Sequence, residues 1–390
     1  MTHVLPPREQ RIRRTLEHLR NATTDEYHTT VEVAPGEFTD PVLAAQEREL
    51  VFGRVPSIVC HGSEISDPGD FLTVQMPRNN IIVARQADGS VKSFVNLCRH
   101  RGAQVEDKER GRCRIFSCPY HRWSYGLDGA LRTVTRNTTF GDVDSNTHGL
   151  IELPTQERHG LVWIVDNART EIDVAAWLGP EVDDIMAGYG IDALEAVHCA
   201  GFDEPVNWKV MQDAFIDNYH IQYAHPNTAG KQVHTNVQAV EDFGRHVRML
   251  TPRKSIDRWL EEEPGDLSLT QHVIDGHFLL PNSTLLRQPD HFQLLTFRPH
   301  PTDPCQCRME MRLLVPSVAD SGLEPHRWQR RWDKNWEILN AVLREEDIPL
   351  LRNSQAALAS ADAGPLVLGR NEIVNHVFRR EIRKLIAAGD

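Results

Sequence analysis

Cys98-Arg-His100, followed after seventeen residues by Cys118-Pro-Tyr-His121, is the stretch on which the reading of this chain turns. Two thiols and two imidazoles in that order form a mixed donor set for a metal. Structural zinc is one possible occupant, but zinc sites pair Cys-x2-Cys with His-x3-5-His. Here each short motif holds one Cys and one His. That pattern fits a [2Fe–2S] cluster in which thiolates hold one iron and imidazoles the other, an arrangement that raises the reduction potential. The flanking segments "VKSFVNLCRHRGAQV" (91–105) and "RIFSCPYHRWSYGLDGAL" (114–131) each pass from a β-rich run into a turn and back.

These two segments resemble the Rieske domain of the Rieske non-haem iron oxygenases, the terminal oxygenase (alpha) subunits of the aromatic ring-hydroxylating dioxygenase family. Neither loop carries a second Cys beside its ligand Cys, whereas respiratory Rieske proteins tie their loops with a disulfide. The oxygenase branch is therefore the closer likeness. It implies an α+β chain: an N-terminal all-β Rieske domain, then a helix-grip-like catalytic domain with an antiparallel sheet and long C-terminal helices.

At 390 residues the chain exceeds one cluster domain and leaves room for a second core. Its 40% hydrophobic and 25% charged residues are ordinary for a globular protein. The net charge of -12 argues against a nucleic-acid role. No apolar window reaches membrane-span length, and the basic N-terminus lacks a signal-peptide core. Seven scattered Cys do not form a secreted disulfide framework, so a cytoplasmic location is expected. The five arginines from Arg8 to Arg20 read as a solvated helix face, with docking of an acidic electron donor as a minority reading.

Residues 8–21 and "DPVLAAQERELVFG" (40–53) have helical spacing, the latter with Asp40 as N-cap, Pro41 following and Gly53 at its end. Short β-rich runs such as "FLTVQM", "IIVARQ" and "GLVWIV" then mark an all-β module. Helix-like stretches at 205–224 and 325–360 enclose "HFQLLTF" and "RMEMRLLV", and "NEIVNHVFRREIRKLIAA" closes the chain as a helix. The expected division is 1–53 helical lead-in, 54–166 cluster domain and 167–390 catalytic domain.

A second donor set begins in "NWKVMQDAFIDNYHIQYAHP" (207–226) with Asp217, His220 and His225. Two imidazoles and a carboxylate on one face, with open positions, suit a mononuclear Fe(II). A five-residue step on an ideal helix turns the two His apart, so the helix has to distort or end between them. Pro226 favours an end at His225. The segment resembles the iron-binding helix of the same family. The resemblance implies His220 and His225 as iron ligands and Asp217 as the acidic bridge from His220 to a cluster His, assigned to His121. Asp213 departs from the family, where Asn is common, and is left out of the ligand set. In "LREEDIPLLRNSQAAL" (343–358), Asp347 is the expected third ligand. Leu350, Leu351, Ser354 and Leu358 share its helical stripe, which leaves Glu345 and Glu346 facing elsewhere. The alternative is that Asp347 merely caps a helix before Pro349.

Cys305 and Cys307, Cys113, Cys60 and Cys199 read as incidental thiols, and His234, His246, His272, His277, His291 and His300 lack partners at ligand spacing. Expected pocket residues are Phe215, Ile216, Phe278, Leu280, Asn282, Leu295 and Phe297, with Arg287 or Arg298 as partners for a substrate carboxylate. The resemblance implies a terminal oxygenase that uses O2 and electrons from a reductase, with or without a ferredoxin. Its organic, usually aromatic, substrate undergoes cis-dihydroxylation or monohydroxylation. O- or N-demethylation and pure electron transfer are the alternatives. It also implies a head-to-tail homotrimer, with or without a small β subunit.

Overall fold

We describe residues 7–261 and 269–389 of a computed structural model of the protein. The chain forms two compact units, Gln46–Glu195 and a larger one made of Met1–Ala45 with Ala196–Asp390. The division expected from the sequence differs at both ends. The lead-in through Ala45 belongs to the larger unit, and the segment after 167 stays with the β-rich one.

In the unit Gln46–Glu195, five strands pair in the order Glu152–Leu153, Val91–Val95, Asn80–Arg85, Asp70–Gln75 and Arg110–Arg112. Asn80–Arg85 is covered on both faces, which is why its residues 81–84 are continuously apolar. A three-stranded sheet of Thr155–Arg158, Leu161–Ile164 and Ser57–His61 packs Val59, Val162 and Ile164 against Val83 and Leu153. A second small sheet, Ile115–Ser117, Ser124–Gly126 and Leu131–Thr133, shares a core of Phe71, Phe94, Phe116, Trp123 and Tyr125 with Cys98 and Cys118.

The larger unit is organised by a seven-stranded sheet. Its strands run as a meander from Ala239–Asp242 through Val247–Pro252, Val273–Leu279, Ser283–Arg287 and Phe292–Pro299 to Cys307–Pro316, with Leu194–Glu204 at the far edge. The meander pairings are antiparallel. Register places Met249, Gly276, Leu286 and Gln293 in one row and Thr284 beside Leu295 in a row two positions on, so these residues share a face. Leu313 and Val315, on alternate positions of strand Cys307–Pro316, pack with Trp328 and Trp332 of helix Pro325–Ala341.

Two expected helices appear with internal changes. The lead-in 40–53 is a short α-helix, Pro41–Gln46, that continues as a π-helix over Glu47–Phe52, and the Asp40 carboxylate accepts the Val42 N–H at 2.8 Å. The stretch 205–224 is not one helix. It splits into Trp208–Asp213 and Ile221–Ala224, with irregular backbone between. On the first helix, Arg11 pairs with Glu241, Arg14 pairs with Asp25, and Arg20 donates to the carbonyls of Trp259 and Leu260. These three arginines serve the fold, which weakens the reading of that face as a docking patch.

Candidate metal centres

The two Cys-bearing loops follow strands Val91–Val95 and Ile115–Ser117 and close in the same way. The Cys98 N–H donates to Ala103 O and Gly102 N–H returns to Cys98 O; the Cys118 N–H donates to Trp123 O and Arg122 N–H returns to Cys118 O. Each loop needs a left-handed residue four positions after its Cys, supplied by Gly102 at φ +76° and by Arg122 at φ +59°. Buried Asn96 closes the base of the first loop. Its carbonyl accepts the N–H groups of Val105 and Glu106, and its amide donates to Asn80 and to Glu106 O.

Both sulfurs are buried, and the rings of His100 and His121 stand 4.6 Å apart, centre to centre. Trp123 stacks on His100, fixing that ring. The Nδ1 atom of His121 is buried without a hydrogen-bond partner, a costly state for a lone imidazole and the expected one for a metal ligand. Burial pushes the Cys118 thiol up, so the thiolate depends on a cation beside it, which bound iron provides. Tyr125 lies with its hydroxyl 3.3 Å from Cys98 Sγ and accepts the Arg99 N–H. Hydrogen bonds to cluster sulfurs tune the potential. Cys113, read as incidental, packs on the edge of this core, and burial pushes its thiol up to about 11.

In the larger unit, donor atoms of His220, His225 and Asp347 all lie within 4.8 Å of one another. Asp347 Oδ1 is 3.0 Å from His225 Nε2 and 3.9 Å from His220 Nε2. The opposite ring nitrogens are held by acids. His220 Nδ1 is 3.0 Å from Asp217 Oδ2, and His225 Nδ1 is 2.6 Å from Glu346 Oε2, which also accepts the Thr228 hydroxyl. Carboxylates at Nδ1 fix tautomer and ring direction and leave Nε2 for a metal. Burial alone would lower the pKa of His225, yet Asp347 and Glu346 outweigh it and raise it. Three carboxylates around two imidazoles make a site that favours a dication.

Local structure explains the convergence. The helix Ile221–Ala224 ends at His225, as Pro226 leads one to expect. Asp217 lies before that helix, not on it. It reaches His220 because its other oxygen accepts the N–H groups of Tyr219 and His220, a turn that folds the side chain back. Asp347 stands at the N-cap position of the following helix, but its side chain makes no capping hydrogen bond, and the residue is only 5% exposed. The expectation that Glu346 faces elsewhere is overturned. Residues Val342–Asp347 form a π-helix, which inserts extra backbone and brings both Glu346 and Asp347 to the imidazoles. Asp213 is held by Arg379 and Asn375 and is not among the three converging donors. Asn207 and Gln355, from the two family-like motifs, join the segments: Asn207 N–H donates to Gln355 Oε1 at 2.8 Å, and both residues are buried.

The triad is exposed to a cavity of about 570 Å³ between the sheet face and residues 335–347. Phe215 and Leu295 line it as expected; Ile216, Phe278, Leu280, Asn282 and Phe297 do not, being core packing around it. Arg287 and Arg298 point from the opposite side of the sheet and are absent from the lining, and Arg298 is bound to Glu310. Arg253 lines it instead, two positions beyond Thr251 on the cavity face.

Two family descriptions match: "Rieske [2Fe-2S] domain" at residues 56–148 and "Ring hydroxylating alpha subunit (catalytic domain)" at 191–388. The anthranilate 1,2-dioxygenase large subunit of Acinetobacter baylyi is 32% identical over half of this chain, and the match spans 42% of that subunit. The glycine betaine monooxygenase oxygenase subunit of Chromohalobacter salexigens is 27% identical over 76% of this chain and 74% of its own length. The fold is that of a quaternary ammonium Rieske monooxygenase, TM-score 0.76 at 20% identity over 98% of both chains. It is also that of naphthalene 1,2-dioxygenase from Rhodococcus sp., TM-score 0.73 at 19% identity over 97% of this chain and 98% of that one. With the catalytic match covering over half of its length, this chain belongs to the ring-hydroxylating alpha subunits of the Rieske oxygenases, the family that carries a Rieske [2Fe–2S] cluster and a mononuclear iron.

Proposed function

We propose that the protein is the terminal oxygenase of a multicomponent system, hydroxylating a small organic substrate with O2 and electrons from a reductase or ferredoxin. The observation that carries this reading is the triad of His220, His225 and Asp347 opening onto a cavity of about 570 Å³. Cys98, Cys118, His100 and His121 hold the cluster, and the triad holds the iron. When bound, the cluster supplies electrons one at a time and the iron supplies the centre at which dioxygen is activated.

The chain's own residues prepare that chemistry. Asp217 and Glu346 keep the protons of His220 and His225 on Nδ1, so that Nε2 stays available. His220, His225 and Asp347 would hold the metal from the cavity wall, so that substrate and dioxygen would meet it from the cavity. Its apolar wall, including Met249, Ile274 and Leu295, excludes water and orients the substrate beside the triad. In the trimer we propose, Asp217 carries the electron path between His121 of one copy and His220 of the next. A cytoplasmic location and an optional β subunit remain part of this reading.

Aromatic hydrocarbon oxidation suits the apolar wall. A quaternary ammonium substrate is less well served, because Phe215 is the one Phe, Tyr or Trp among the described lining residues, and such cations favour aromatic cages. Pure electron transfer would leave the open triad without a use. The test is the rate at which the chemically reduced cluster is reoxidised by dioxygen in the presence of small aromatic acids and hydrocarbons. Oxidation at least about tenfold faster in wild type than in Asp347→Ala is expected. Equal rates would favour the electron carrier.

A further inference from the structure

The cavity beside the triad contains a cation that no acid among the described residues neutralises. Arg253 stands just past the end of strand Val247–Pro252, on the face that carries Met249 and Thr251. Its Nη1 donates to Gln288 Oε1 at 3.0 Å and its Nη2 to Gln232 Oε1 at 3.2 Å. Both acceptors are neutral amides, and both residues line the same cavity. Arg253 is partly exposed, and no described carboxylate pairs with it. The two glutamine oxygens aim a planar fork with further N–H donors and leave its charge uncompensated, a geometry matched to a carboxylate.

The other charged groups on the wall do not compete for it. Asp217, His220, His225 and Asp347 belong to the metal site. Asp290 is held by Arg331 and His291. The same wall carries the apolar side chains of Met249, Ile274, Leu286 and Leu295, with Thr251 about 7 Å along the strand from Arg253. One cavity therefore brings together a reacting centre, apolar side chains and a cation.

We infer that the substrate is an organic acid whose carboxylate is received by Arg253, with Gln232 and Gln288 positioning the guanidinium. This rests on the oxygenase reading for the location of the reacting end, and it replaces Arg287 and Arg298 in the role expected from sequence. Arg253 is a specificity-determining residue; it takes no part in metal binding.

Binding to the iron-loaded, anaerobic protein would be measured by calorimetry with benzoate against benzamide and hexanoate against hexanamide. Tetramethylammonium provides a cationic arm, and the variants are Arg253→Met and Arg253→Lys. Because a carboxylate can also bind iron directly, the readout is the acid-to-amide affinity ratio in each variant relative to wild type. The ratio is expected to fall about 10- to 100-fold in Arg253→Met, to be partly kept in Arg253→Lys, and amide binding should be unchanged. An unchanged ratio, tighter binding of the cation, or no binding of either acid at millimolar concentration would overturn the inference. The iron and cluster contents of each sample are read separately. Wild type that retains no mononuclear iron would defeat the oxygenase reading, while the Arg253-dependent preference for acids would still be measurable.

Discussion

The cluster ligands occupy two loops between Cys98 and His121, each closed by its own backbone hydrogen bonds, whereas Glu346 lies 121 positions from the His225 it orients. The first set needs only a small β unit with its turns in register. The second needs two separate segments held together by Asn207 and Gln355, and a π-helix to turn two consecutive acids towards the same pair of imidazoles. A local site survives or fails with its loops; a distributed site depends on the packing between the segments that carry it.

The largest effect expected from this contrast is a reciprocal loss of metal. Cys118→Ser should abolish the cluster while mononuclear iron stays with the triad, and Asp347→Ala should do the reverse, because the two ligand sets share no residue. Iron and acid-labile sulfide analysis of the two purified variants decides it; joint loss of both centres in either variant would break the separation.

Next in size is an acid response in the larger unit. Glu310 is buried, which disfavours its charge, but Arg298 and Arg312 outweigh burial and hold the carboxyl at about 2 against 4.5 for a free one. Its folded pKa lies below its unfolded one, so its stabilisation is complete above about pH 4.5 and is lost as pH falls towards about 2. Glu310→Gln should destabilise by roughly 3 kcal/mol at pH 7. The gap from wild type should narrow as pH is lowered through that window, as followed by thermal unfolding.

Glu346→Gln should weaken iron retention about 10- to 100-fold, whereas Glu345→Gln should leave it unchanged. Chelator competition measures both, and equal effects would mean that the π-helix does not select between these neighbours. The smallest effect compares the loops with each other. Gly102→Ala meets no atom within 4 Å, so its cost is the left-handed backbone alone, about 1 kcal/mol. Chemical denaturation measures it; a much larger cost would show that the loop has no slack.

Much of this was legible in the sequence. The four cluster residues stand out because metal chemistry restricts residue type and spacing; His220, His225 and Asp347 are reached through the resemblance, and Pro226 announces the end of the helix at His225. Strand runs such as 81–85 and 308–315 are visible because buried strands show their apolar pattern directly. Three features were hidden for physical reasons. The place of Glu346 depends on a π-helix, for which an α-helical projection gives the wrong face; the acidic pair beside Asp347 was the available signal. The cavity wall depends on where along its strands the triad sits: Phe278 and Phe297 share the face of Gly276 and Leu295 but lie outside the lining, whereas Met249, Ile274 and Arg253 belong to it. The units divide near 195 because the residues after 167 fold back onto the β-rich core: Trp177 is buried, and Val174 N–H donates to Gln156.

The central claim is that one chain carries both centres, built independently. EPR of anaerobically purified, reduced protein exposed to nitric oxide tests it most directly, with wild type compared against His225→Ala. A Rieske signal is expected in both proteins and an iron–nitrosyl signal in wild type alone. A Rieske signal without any nitrosyl signal in folded, iron-supplemented wild type would contradict it.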